Sequence, residues 1–305
     1  MFKLISTVLP LSLAVIGVIS CAAPPQPAAP FNAPVAQPPL ALEPYNPGDQ
    51  ALFPVSATIV SGEHDVVLVD AQLARRDAQK LAEKIRATGK RLTTIYVSHG
   101  DPDYYFGLDV LQDAFPGAKI LATRPTVEHI QATEHQKLAY WGPILKDDAP
   151  LRIVIPAVLR GDSIDLEGRK LQVFGLDGPA PERTVVWIPS LNAVCGGVAL
   201  FSGLHVWMTD TQAPPARERW LSLLDRIEQL APSVVIPGHY QGASKFDLSA
   251  VRFTREYIQT FDAETPKAKS SVELMAVMKQ HYPKAGLEIS LQISSKVAKG
   301  ELAWE

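Results

Sequence analysis

Three side chains able to bind a cation or move a proton stand at alternate positions in Ser98-His99-Gly100-Asp101-Pro102-Asp103-Tyr104-Tyr105. Alternate side chains of an extended segment point the same way, so one imidazole and two carboxylates can converge on one centre. Such a set suits a divalent ion, or a water held by an acid–base group. The competing reading is a polar loop with a chance cluster. An apolar run at 92–97 leads into the motif, and Phe106, Leu108, Val110 and Leu111 follow it at helical spacing. The motif therefore belongs in the turn after a strand, where α/β sheets place ligand-binding groups.

The elements that must position it are legible around it. Residues 57–60 and 66–69 are β-rich runs separated by a polar turn, Ser61-Gly62-Glu63-His64-Asp65, and predict a hairpin closed by Asp70. Residues 73–90 carry apolar side chains at helical spacing and stop at Gly89. After the motif helix, Pro116-Gly117 turns the chain into a strand at 118–122. Residues 125–140 predict a helix that ends at Trp141-Gly142-Pro143, residues suited to bordering a pocket. His129 and His135 are six residues apart and share no helix face, so both read as surface or boundary residues. From 151 the texture changes to short β-like runs at 152–155, 163–166, 170–174, 184–188, 193–194 and 198–201. An amphipathic helix at 214–230 is marked by Trp220, Leu221, Leu224, Ile227 and Leu230. A strand at 234–236 runs into Pro237-Gly238-His239-Tyr240, and from 246 the pattern is helical, broken at 283–286.

The ends and the composition bound the rest. Lys3 precedes an apolar run at 4–19 that is too short and wrongly flanked for a membrane span and predicts a targeting segment over 1–20. It closes on Val18-Ile19-Ser20-Cys21, which resembles a bacterial lipobox. The resemblance implies cleavage before Cys21 and lipidation there, hence an exported protein anchored in the membrane. Ala22 in place of an acidic residue points to the outer membrane, facing the periplasm. Residues 21–48 are rich in Pro and Ala and read as a tether. Residues 49–305 form the folded domain. The only other cysteine, Cys195, has no intramolecular partner once Cys21 is lipidated, and its apolar surroundings predict a buried small hydrophobe. A formal net charge of −3 without a basic block speaks against nucleic acid as a partner.

The motif after a strand, the hairpin ending in Asp70 and the late Pro-Gly-His together resemble the metallo-β-lactamase-fold hydrolases, over about residues 54–242. The resemblance implies a four-layer αββα sandwich of mixed α/β and α+β character, with a metal site at one edge of two facing sheets. It also implies a divalent cofactor, here one zinc, with iron or manganese as other candidates. Carried over position by position, His99 matches the first motif histidine and Asp101 stands where the second would be. Asp103 matches the motif aspartate, and Tyr104 takes the place of the histidine after it. His239 matches the final histidine. Asp70 matches an early aspartate that orders the site through hydrogen bonds. The middle histidine is missing near 175–178, where Asp177 alone offers a donor, and glycine stands where the bridging aspartate should follow Gly196.

The candidate ligands are thus His99, Asp101, Asp103 and His239, with Asp177 as a fifth. Asp103 could instead act as general base, and Tyr104 and Tyr105 could donate to an oxyanion or simply be packed aromatics. His205 is either a substrate contact or a core histidine, and Asp210 caps the next helix or orients a ligand. Two functions follow. One is a hydrolase of a small ester, lactone, amide or phosphate that uses a metal-activated water. The other is a metal-free binding or accessory protein on an eroded hydrolase fold.

Overall fold

A strand buried on both faces must be apolar at every position, and residues 66–69 are. In the computed structural model, which describes residues 38–304, Val66 and Leu68 enter one core and Val67 and Val69 another. The two-residue period of the strand divides them. This strand lies in a six-stranded sheet with the order β1 (Ala41–Tyr45), β2 (Ala57–Ser61), β3 (Asp65–Val69), β4 (Arg91–Val97), β5 (Lys119–Ala122) and β6 (Ala157–Val158). The first two pairings are antiparallel and the remaining three parallel. Parallel neighbours need crossovers. These are α1 (Arg75–Ala87), then α2 (Pro102–Tyr105) with α3 (Leu108–Ala114), then α4 (Arg124–Leu145).

The second sheet contains β7 (Ser163–Leu166), β8 (Arg169–Phe174), β9 (Val185–Ile188) and β10 (Ala193–Cys195). After β11 (Phe201–Ser202) and α5 (Pro214–Gln229), β12 (Val234–Ile236) returns to pair with β10 in parallel. β13 (His239–Tyr240) pairs with β11, Phe201 opposite His239. Three helices follow: α6 (Ser249–Glu264), α7 (Ser271–His281) and α8 (Glu288–Ala298).

Val60, Val67, Val69 and Tyr96 of the first sheet share a core with Leu171, Val173, Val186, Ile188, Cys195 and Ile236 of the second. That is the space between the sheets. The outer faces are covered by helices. α1 buries Ala78, Leu81, Ala82 and Ile85, a stripe at helical spacing, and α5 buries Trp220, Leu223, Leu224 and Ile227. The layers run helix, sheet, sheet, helix, which is the αββα arrangement expected from the sequence. Cys195 is fully buried, and burial pushes its thiol up to about 12.

Four expectations are corrected. Residues 41–45 are not tether. They form β1, because β2 would otherwise leave its outer edge unpaired, and Pro44, which has no N–H, is tolerated on an edge strand. Residues 152–155 form no strand. The Leu151 N–H donates to Asp109 Oδ2 at 2.9 Å and Arg152 pairs with Asp113 at 2.7 Å, which hold this segment to α3. The fourth helix does not stop at Trp141 but runs through Pro143 to Leu145, with Trp141 pinned edge-on against Phe53 at 5.2 Å. The carboxyl-terminal helical region has a second break, where Ser270 accepts from the Glu273 N–H and starts α7. No described helix is long and apolar enough to cross a membrane. The leader and Cys21 lie outside the described residues.

Candidate functional site

The site begins at Asp70, just past the end of β3. This carboxylate is fully buried and sits in left-handed backbone (φ 69°). It accepts from Ser98 N–H and Ser98 Oγ, both at 2.8 Å, and from the Gly197 N–H. Burial outweighs these bonds and drives its pKa up to about 7. Asp70 thus fixes Ser98, one residue ahead of His99, to the loop after β10.

His99 is buried, and its Nδ1 accepts from the Asp101 N–H at 3.3 Å. Asp101 Oδ2 lies 3.3 Å from the same nitrogen. Pro102 opens α2 at its first position, where a missing N–H costs nothing. The turn that follows carries Asp103 and Tyr104 inward. Asp103 Oδ2 lies 3.1 Å from His239 Nε2, and both residues are buried. His239 arrives on β13, its ring stacked on Phe201 at 4.8 Å. Ser56 binds the strand from the other side, its N–H donating to Gly238 O at 2.7 Å. A Cβ on Gly238 would run into the Gly197 carbonyl, so glycine is what lets these two loops meet.

Tyr104 fills the space between the two halves. Its ring stands edge-on to His99 at 5.7 Å and to His239 at 5.8 Å. Tyr104 and Tyr105 are both buried and both hydroxyls lack a partner. Burial pushes both phenols well up. Neither lines the cavity described below, and both rings pack in the core.

Two basic residues that sequence reasoning passed over enter the site. Lys137 Nζ, on α4, donates to Asp101 Oδ1 at 3.0 Å. Burial works against the Asp101 carboxylate, yet Lys137 and His99 prevail and hold it well below the usual range. Arg183 is 2 % exposed and lies over the Trp220 ring at 4.2 Å. Its Nη2 is 3.8 Å from Asp210 Oδ2. The Asp210 side chain keeps 25 % of its surface exposed; desolvation by its neighbours, with Asp101 nearby, raises its carboxyl to about 6. Asp210 therefore belongs to this neighbourhood, as a partner of Arg183. A lone lysine between Gln136 and Leu138, or a lone arginine between Glu182 and Thr184, carries no periodic or spacing signal.

Two expected residues fall elsewhere. Asp177 is no fifth donor: its side chain is 84 % exposed and bonds Arg226 at 2.9 Å. It lies on the solvent side of the turn after β8. His205 is a core histidine. Val206 N–H donates to the Tyr257 oxygen, and the Tyr257 hydroxyl and His205 Nδ1 share a hydrogen bond at 3.0 Å. Burial lowers the His205 pKa to about 4. Its neutral form therefore stabilises the fold above pH 6.5, and that contribution is lost as pH falls from 6.5 through 4. At about 1.4 kcal/mol per pKa unit the loss is on the order of 3 kcal/mol. Urea titrations of wild type and His205→Asn at pH 7 and pH 4.5 check this. The wild type should lose more stability than the variant, and equal losses would refute the assignment.

Asp101, Asp103, Lys137 and His239 form the polar floor of one cavity. Its walls are apolar and aromatic, chiefly Phe53, Trp141, Phe201, Trp207 and Trp304. The cavity measures about 30 Å³, room for roughly two or three waters. A second hollow, of about 280 Å³, lies on the other side of Lys137, Trp141 and Trp304, which line both. The buried Nε1 of Trp207 and Nδ1 of His239 have no partner.

The metallo-beta-lactamase superfamily profile matches residues 51–239. The chain belongs to the metallo-beta-lactamase superfamily. Among solved structures, a metallo-beta-lactamase family protein from Thermus thermophilus aligns with a TM-score of 0.61 at 18 % identity, over 86 % of this chain and 93 % of that one. A metallo-beta-lactamase from Pontibacter korlensis aligns with a TM-score of 0.52 at 19 % identity, over 74 % of this chain and 97 % of that one. These likenesses speak for the fold alone. A curated relative, the uncharacterized protein YobT of Bacillus subtilis (strain 168), is 35 % identical over 71 residues, 23 % of this chain and 30 % of YobT.

Members of the metallo-beta-lactamase superfamily generally hydrolyse their substrates with bound divalent metal. A catalytic zinc takes three protein ligands and keeps one open position. The residues here do not supply such a set. The donors come as two separate pairs, His99 with Asp101 and Asp103 with His239, and Tyr104 fills the space between them. The first pair is already engaged by an ammonium group. Among the described residues no three His, Cys, Asp or Glu side chains are placed to hold one ion.

Proposed function

We propose that this chain binds a small organic molecule in the aromatic cavity without a resident metal, the binding-protein alternative raised by the sequence. The observation that carries the reading is the commitment of the donor groups to one another: Asp101 to Lys137 and His99, Asp103 to His239. What this leaves for a ligand is an apolar, tryptophan-rich wall above a polar floor, the usual composition of a small-molecule site. The unpartnered Trp207 N–H offers a donor to a ligand oxygen. A ligand larger than a few waters needs Trp304 to move aside. That joins the inner cavity to the outer hollow; Trp304 is partly buried and makes ring contacts to Trp207 and Tyr140, with a bond from Gln212 to its carbonyl.

The rival is the hydrolytic reading, and one observation favours it. Two ligands of one tetrahedral ion with bonds of about 2.0 Å sit roughly 3.3 Å apart, close to the 3.1 Å between Asp103 Oδ2 and His239 Nε2. The full chain, purified in detergent from metal-supplemented cells, decides between them. Metal content well below one equivalent supports the binding reading, as does a thermal shift with small esters, lactones or amides that are recovered unchanged. One equivalent of zinc, iron or manganese that is lost in Asp103→Ala, together with turnover of such a compound, would sink it. Export and a lipid anchor at Cys21 are part of the same proposal. Cys21→Ala should release the protein from the membrane fraction, and continued membrane association would count against the anchor.

A further inference from the structure

A primary ammonium has three protons to donate, and Lys137 directs its group at three acceptors. They are Gly100 O at 3.0 Å, Asp101 Oδ1 at 3.0 Å and His129 Nε2 at 2.8 Å. Two come from the motif loop and one from the preceding part of α4. The Lys137 side chain is only 12 % exposed. Long helical side chains lean toward the helix N-terminus, which is how Lys137 reaches back two turns to His129. Gly100 permits the close approach: a Cβ there would run into the His129 ring. His129 itself is exposed on its outer side, as a surface histidine, but its ring also lies 6.4 Å from His99.

These contacts are those that a divalent ion would make in the same place. An imidazole nitrogen, a carboxylate oxygen and a carbonyl oxygen converge on one positive centre, which neutralises a poorly solvated carboxylate and ties a loop to a helix. We propose that the Lys137 ammonium is the resident cation of this half of the site and that it excludes a divalent metal from His129 and Asp101. The proposal rests on the metal-free reading of the cavity and goes beyond it by naming the residue that keeps metal out. An ammonium can only donate, so the His129 Nε2 beside it is the acceptor of this bond.

The test is a cobalt titration of the full chain, read by visible absorption and calorimetry. Wild type should take up no Co²⁺ at this position. Lys137→Met should gain one Co²⁺ at least tenfold more tightly, with the bands of nitrogen–oxygen coordination. Asp101→Asn or His129→Ala added to Lys137→Met should abolish the gain. Lys137→Arg, which keeps a cation, should remain refractory to Co²⁺. If Lys137→Met does not fold, the wild-type protein still answers. The Lys137 ammonium should give a ¹H–¹⁵N resonance protected from solvent exchange, and its absence would overturn the proposal. Equal Co²⁺ uptake by wild type and Lys137→Met at low affinity would overturn it too, while leaving the metal-free reading intact. Tight Co²⁺ uptake by wild type, lost in Asp103→Ala, would bring down both.

Discussion

Asp70→Ala is expected to destabilise the domain by about 3–5 kcal/mol, since each buried donor left without its acceptor costs about 1–3 kcal/mol. Three donors lose their partner at once: Ser98 N–H, Ser98 O–H and Gly197 N–H. Alanine must also adopt the left-handed backbone of residue 70, which aspartate tolerates better. At about 2–4 °C per kcal/mol for a domain of this size, the melting temperature should fall by roughly 6–20 °C. Asp70→Asn keeps one acceptor oxygen and should cost less than half as much. The consequence reaches the site, because Ser98 is the residue next to His99 and Gly197 faces Gly238. Loss of ligand or metal response in Asp70→Asn, at intact fold, would show positioning. An Asp70→Ala loss below 1 kcal/mol by urea unfolding would show that these bonds do not hold the site.

Trp220→Ala should cost a comparable amount, about 3–5 kcal/mol, the range for truncating a fully buried tryptophan. Trp220 is completely buried on α5, and its Nε1 donates to Ala199 O at 3.0 Å. It lies 6.5 Å from Phe201, the ring on which His239 stacks, and it carries Arg183 on its face. The substitution therefore opens a cavity and takes from a buried guanidinium its main neighbour. A double-mutant cycle separates the two effects. Trp220→Leu and Arg183→Met should couple by about 1–2 kcal/mol, the worth of a desolvated cation–π contact. Additive losses would place the whole effect in packing and leave Arg183 without a role beside Trp220.

Particular residues show what could be read beforehand. The hairpin ending at Asp70, the alternation of strand and helix through residue 122, the α5 stripe and the Pro-Gly-His turn were all legible. Each is a local pattern: a two-residue or 3.6-residue apolar period, or a punctuating glycine or proline. β1 was not legible, because an edge strand is defined by the neighbour that needs it, and 41–45 carries the composition of the tether before it. The helix through Pro143 was missed because Trp141 packing against Phe53 overrides a local breaker.

The site divides in the same way. By itself the sequence determined which side chains stand in the motif, that His239 lies far along the chain from it, and that several positions of the family pattern carry other residues. It also determined the apolar periods that make two sheets and two helical layers. Only the tertiary structure decided what those side chains touch. It separated Asp177 from the others, buried Tyr104 between two histidines, and brought Lys137 and Arg183 to the carboxylates. The physical reason is that burial and charge pairing depend on distances between segments far apart in the chain. Lys137 and Asp101 are thirty-six positions apart, and no periodicity spans that gap. The cation that meets the motif aspartate is set by how α4 packs against the loop after β4.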